Sequence, residues 1–153
     1  MERFELPEKI ICWMTIAALM IPGMVYGADQ QACKAQSSSQ TVLNQCATDQ
    51  LSEVDGKLNR VYQAILSQYK EDRDFLEKLR KAQRAWLNFR DAELEARFPA
   101  EQKQAHYGSV YPMCAAQFLV QLTQERIKQL QKWLEGLEEG DVCAGSVQIR
   151  LAH

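Results

Sequence analysis

The stretch "RKAQRAWLNFRDAELEA", residues 80–96, decides how the chain is to be folded. It reads as a charged helix with one awkward detail. Gln83, Trp86 and Arg90 lie three and four residues apart, so on a helix they share one face. A face that carries Trp86 and Phe89 is expected to be buried, which sets Gln83 and Arg90 inside or against the core. Three readings compete for that cluster: a catalytic group, a binding surface, or a polar layer within a helical bundle.

The flanking segments favour the bundle. Upstream, Leu43, Ala47, Leu51, Val54, Leu58, Val61 and Ile65 recur at three- and four-residue steps from Val42 onward, the period of an amphipathic helix. Thr41 or a serine of "KAQSSSQT" is placed to cap it. "KEDRD" supplies a turn, and Asp72 or Asp74 can cap a second helix carrying Leu76, Leu79, Ala82, Trp86 and Phe89. Phe98-Pro99 stops that helix. Residues 99–110 form the longest expected loop. A third helix follows, tolerating Pro112 in its first turn, with Ala115, Phe118, Leu122, Ile127, Leu130, Trp133 and Leu137 as its stripe. No alternating segment of strand length appears. The expected fold is all-α, an up-down-up bundle of three helices about 37 Å long, with core 42–139 and a tail, 140–153, held by Cys143.

The polar cluster recurs on the other helices. Asp55, Asn59 and Tyr62 border the first stripe, and Arg126 sits in the register of Leu122 and Leu130. Gly56 fits a site where a neighbouring helix approaches closely, since glycine costs about 1 kcal/mol of helix propensity. Buried arginines require carboxylate or amide partners. Asp55 is the expected partner of one, Asp91 or Glu93 of the other. Asp55, Asn59, Gln83, Trp86, Arg90 and Arg126 are therefore read as a hydrogen-bonded layer that fixes helix register.

The N-terminus stands apart from the fold. Residues 10–21, "IICWMTIAALMI", are apolar but for Thr15, Pro22-Gly23 break the run, and Val25-Tyr26-Gly27 ends in small residues. This is the pattern of a secretory signal peptide over residues 1–27, too short to span a bilayer. A single domain over 28–153 remains, periplasmic or secreted, with no stable membrane insertion after cleavage. Cys12 leaves with the leader, so Cys33, Cys46, Cys114 and Cys143 form an even set, as expected of disulfides in an exported chain. Cys46 and Cys114 begin parallel helices at one end of the bundle, which favours Cys46–Cys114 with Cys33–Cys143. The sequential pairing, Cys33–Cys46 with Cys114–Cys143, is the alternative. No CxxC pair exists and His106 and His153 lie away from the cysteines, so neither metal nor cofactor is expected.

With 153 residues, 46% apolar content and a net charge of −2, the chain carries no basic field for nucleic acid. HExxH, GxSxG, P-loop and GxGxxG motifs are absent, and His106 beside Ser109 makes no triad. An enzyme is not expected.

Four stretches taken together, "LNQCATDQLSEVDGKLNRVY", "QRAWLNFRDAE", "GSVYPMC" and "LTQERIKQL", resemble the LprI-like lysozyme-inhibitor domain of exported bacterial proteins, over residues 33–137. The tail "EEGDVC" resembles an ending seen in some members. Leu94 stands where the family commonly has a cysteine, which suggests a different disulfide arrangement. The resemblance implies a small, exported, disulfide-bonded helical domain whose partner is a lysozyme. The candidate contact loop is His106, Tyr107, Ser109 and Tyr111, where tyrosines offer low-entropy contacts and Gly108 permits close approach. A second candidate class is an envelope module binding another periplasmic protein without inhibiting lysozyme. The acidic group Glu135, Glu138, Glu139 and Asp141 falls at the opposite end of the third helix.

Overall fold

A computed structural model describes residues 39–150. The expected leader, Cys12, Cys33 and the last three residues of the tail lie outside that range. Four helices and one short strand pair are formed among the described residues: α1 Gln40–Gln68, α2 Arg73–Arg97, α3 Lys103–Tyr107, α4 Tyr111–Glu135, β1 Leu137–Glu138 and β2 Ile149–Arg150. The fold is all-α, with the strands a minor addition.

Local chemistry sets the boundaries. Ser39 occupies the N-cap of α1 in extended conformation, and Thr41 falls inside the helix. Asp72 caps α2: its carboxylate accepts the Phe75 N–H at 3.0 Å, satisfying one of the donors a helix start leaves open. Phe98 ends α2 just before Pro99, and Pro112 sits in the first turn of α4, where its missing N–H costs nothing.

The three long helices meet along a core of Val54, Leu58, Ile65, Tyr69, Leu76, Leu79, Val120, Ile127 and Leu130. α1 and α4 run side by side in the same direction. The Asn44 amide donates to the Ser109 carbonyl at 2.9 Å near their starts, and the Tyr69 hydroxyl donates to the Trp133 carbonyl at 2.9 Å near their ends. Ala47, Ala115, Ala116 and Thr123 are buried, and small side chains let two helices approach closely. α2 runs the opposite way and stands further off, spaced by Trp86, Phe75 and the arginines.

Several details differ from the sequence reading. Ala82 and Phe89 face solvent, Phe89 being 50% exposed. The inward register of α2 is Leu76, Leu79, Gln83, Trp86 and Arg90, and the two excluded residues each sit one position off it. In α4, Val120 and Thr123 are more deeply buried than Phe118 and Leu122, because this helix packs against both others. The expected loop contains α3, a five-residue helix too short to show a period. No other helix reaches the position a Cβ on Gly56 would take; its nearest neighbour is the Arg60 side chain of the same helix at 3.4 Å. The expected close approach is absent there.

The cysteine pairings also need correction. Cys114, half-buried, and Cys143, exposed, are free thiols. Cys46–Cys114 and Cys33–Cys143 are therefore not formed, nor is Cys114–Cys143. Cys46 is engaged and does not titrate as a thiol. The tail is held without Cys143. β1 and β2 pair in parallel, Leu137 with Ile149 and Glu138 with Arg150. The Gln148 N–H donates to the Tyr69 hydroxyl at 3.1 Å, and the Gln68 amide donates to Gln148 Oε1 at 2.8 Å.

Candidate functional site

Two regions concentrate the residues the sequence singled out. The first lies between α1 and α2. Arg90 Nη1 donates to Asp55 Oδ1 at 3.0 Å, with the arginine side chain 16% exposed and the aspartate 39%. Arg90 Nε forms an ion pair with Asp91 Oδ1 at 3.6 Å, beyond hydrogen-bonding distance, and is buried without a hydrogen-bond partner. Arg126 takes an amide rather than Asp91 or Glu93: its Nε donates to Gln83 Oε1 at 3.1 Å and its Nη1 to Gln129 Oε1 at 3.2 Å. Burial pushes the Arg126 guanidinium below its ordinary pKa, and Tyr62 opposes that shift.

Trp86 joins the two arginines. Their guanidinium carbons lie 5.4 Å (Arg90) and 5.9 Å (Arg126) from its ring centre, within cation–π range. One indole thus offers its π-face to a cation from α2 and a cation from α4. This cluster is built from groups on all three long helices. Gln83 is its buried member, whereas Asn59 is exposed.

Asn59 instead lines an open groove of about 520 Å³ between α1 and α2, with Asp55, Tyr62 and Gln63 on one wall and Arg80, Gln83, Arg84 and Arg90 on the other. Leu58, Leu66 and Leu87 complete the lining. The sequence reading did not single out Arg80, Arg84 or Gln63. Arg80, Gln83, Arg84, Leu87 and Arg90 follow one another at helical spacing, a signal that was present. Exposed arginines on a charged helix look like an ordinary solvated face.

The second region is the end of the bundle where α1 and α4 begin. Phe98, Tyr107 and Tyr111 form an aromatic cluster, with ring centres 5.3 Å apart for Phe98–Tyr107, 5.2 Å for Phe98–Tyr111 and 5.9 Å for the stacked tyrosines. The Tyr107 hydroxyl also accepts the Ala100 N–H at 3.3 Å. Lys103 donates to Glu95 Oε2 and to the Phe98 carbonyl, both at 2.6 Å, stapling α3 to the end of α2. The adjacent carboxylate raises the Lys103 pKa above its ordinary value.

Tyr107 and Tyr111 are half-buried supports, while His106 and Ser109 are exposed. Between them Gly108 adopts φ +77°, and nothing lies within 4 Å of where its Cβ would be. The result is an exposed turn, "HYGSV", buttressed from behind by aromatic rings and tied to α1 through Asn44. The acidic residues Glu138, Glu139 and Asp141 are exposed beyond the far end of α4. That helix is 25 residues long, or about 37 Å, so one small interface does not cover both ends.

Among the described residues, no three His, Cys, Asp or Glu side chains gather as a metal-ligand group, and no helix is long and apolar enough to cross a membrane.

Comparison with known proteins turns on the sequence. An uncharacterized protein of Rhizobium meliloti (strain 1021) is 35% identical over 112 residues, covering 65% of this chain and 77% of that relative. No solved structure matches. The family described as lysozyme inhibitor LprI, a family of inhibitors rather than of enzymes, matches residues 33–130, which take in α1, α2, α3 and most of α4. This chain belongs to the LprI lysozyme-inhibitor family.

Proposed function

We propose that this protein is an exported, non-enzymatic inhibitor of a lysozyme, protecting the cell wall by placing the His106–Ser109 turn in the enzyme's cleft. Family membership supports the activity. The observation that carries the contact surface is the turn itself: exposed at His106, Gly108 and Ser109, yet backed by three interlocked aromatic rings. A cleft-filling segment that is already rigid loses little conformational entropy on binding. The narrow tip, free of side-chain bulk at Gly108, suits a concave partner. Export rests on the leader pattern of residues 1–27, and an up-down-up bundle completes the reading.

The test is a cell-wall clearing assay with C-type lysozyme and the purified mature chain. Addition of the wild type is expected to slow clearing. His106→Ala with Ser109→Ala is expected to weaken inhibition by about tenfold with helical circular dichroism unchanged. Full inhibition by the double variant would move the contact surface elsewhere. No slowing by the wild type would favour the envelope-module reading, in which another periplasmic protein is the partner.

A further inference from the structure

The groove between α1 and α2 is lined with polar groups that the fold does not use. Arg80 and Arg84, one turn apart on α2, have no ion-pair or hydrogen-bond partner among the described residues, and neither do the Asn59 and Gln63 amides or the Tyr62 hydroxyl opposite them. Gln83 spends its carbonyl oxygen on Arg126 and keeps its NH₂ donors. Asp55 is the single carboxylate in the lining, and Arg90 neutralises it at 3.0 Å. The groove is therefore a local cationic trough on a chain of net charge −2.

We infer that this groove binds a carboxylate-bearing saccharide. Arg80 and Arg84 supply planar forks that match a carboxylate. The amides of Asn59 and Gln63 and the Gln83 NH₂ group match sugar hydroxyls, each amide both donating and accepting. Leu66, Leu87 and the Tyr62 ring provide apolar surface for the C–H face of a ring. The volume, about 520 Å³, lies within the range of small-ligand sites. A bare anion would leave the amides and the leucines without a role, and an apolar ligand would leave two arginines desolvated without a counter-charge. The site stands on different residues from the His106–Ser109 turn and is independent of lysozyme inhibition.

The experiment is a titration of the isotope-labelled mature chain with trigalacturonate at low ionic strength, where charge contacts are least screened. Maltotriose, inorganic phosphate and hexaglutamate serve as comparison ligands. Trigalacturonate is expected to shift resonances of Asn59, Arg80, Gln83 and Arg84, and each comparison ligand to bind at least about tenfold more weakly. Arg80→Gln with Arg84→Gln, both exposed, should abolish the shifts while lysozyme inhibition is retained. Asn59→Leu with Gln63→Leu should weaken trigalacturonate and leave any residual hexaglutamate binding unchanged. No shift in the groove, equal binding of phosphate or hexaglutamate, or undiminished binding by the arginine variant would each overturn the assignment.

Discussion

The two ends of the helical bundle each carry three aromatic rings, and they are used differently. At the end where α1 and α4 finish, Tyr69, Phe75 and Trp133 pack with ring centres 4.6 to 6.1 Å apart. Tyr69 is 5% exposed and belongs to the core, and its hydroxyl ties the Trp133 carbonyl to the tail. At the opposite end Phe98, Tyr107 and Tyr111 are each half-buried and hold up a turn that projects into solvent. One cluster closes the structure; the other presents part of it. Similar residues give different outcomes because of what lies beyond the rings: a docked tail in one case, an open turn in the other.

The largest test of this contrast compares truncations. Tyr69→Ala is expected to cost about 3–5 kcal/mol, the range for losing a buried aromatic, whereas Tyr107→Ala should cost less than half as much in chemical denaturation. Equal costs would erase the distinction. The glycines make a closer pair, because Gly108 and Gly136 terminate helices with nearly the same backbone, φ +77° ψ −173° and φ +73° ψ 173°, a region essentially reserved for glycine at about 1–3 kcal/mol for other residues. Gly108→Ala should show that strain alone. Gly136→Ala should cost more and loosen the tail, since its Cβ would meet the Gln148 carbonyl at 2.7 Å.

Tyr69→Phe keeps the ring and deletes the hydroxyl, leaving the Trp133 carbonyl and the Gln148 N–H without it. A loss of about 1–2 kcal/mol is expected, with faster amide exchange at Gln148 and Leu137 and none at Ser109. The smallest effect is a pH response confined to the turn end. The Lys103 pKa is raised in the folded state by Glu95, so the stabilisation is fully present below the ordinary lysine pKa of about 10.4. It is lost as pH rises through the higher folded value. Protection factors in α3, with intrinsic base-catalysed exchange divided out, should therefore fall in strongly alkaline buffer, and Glu95→Gln should remove that fall.

Much of the helical register was legible, and the reasons are particular. Leu43 through Ile65 carry the period of α1 because a long helix facing a continuous core repeats it many times. In α2 the same rule misassigned Ala82 and Phe89, since a face filled by Gln83 and Arg90 does not look apolar. Asp55 was expected to take one of the two arginines because a buried guanidinium needs a partner, and it takes Arg90, while Arg126 found an amide where a carboxylate was expected. α3 and the two-residue strands contain too few residues for periodicity to speak. The tail anchor was missed because a tyrosine hydroxyl bridging two backbone groups leaves no pattern in sequence, whereas a cysteine draws attention even when its thiol is free.

The side-by-side placement of α1 and α4 has a further consequence for how the chain acquires its shape. Asn44 finds its partner 65 residues downstream at Ser109, and Gln68 reaches 80 residues ahead to Gln148. The first helix therefore waits for the last before its apolar stripe is fully covered, because the intervening α2 covers only part of it, through Leu76 and Leu79. Such distant closures slow folding, and a polypeptide still emerging from its ribosome would lack its keystone until α4 has followed. Shortened versions ending before Tyr111 should thus remain open chains rather than smaller copies of the whole.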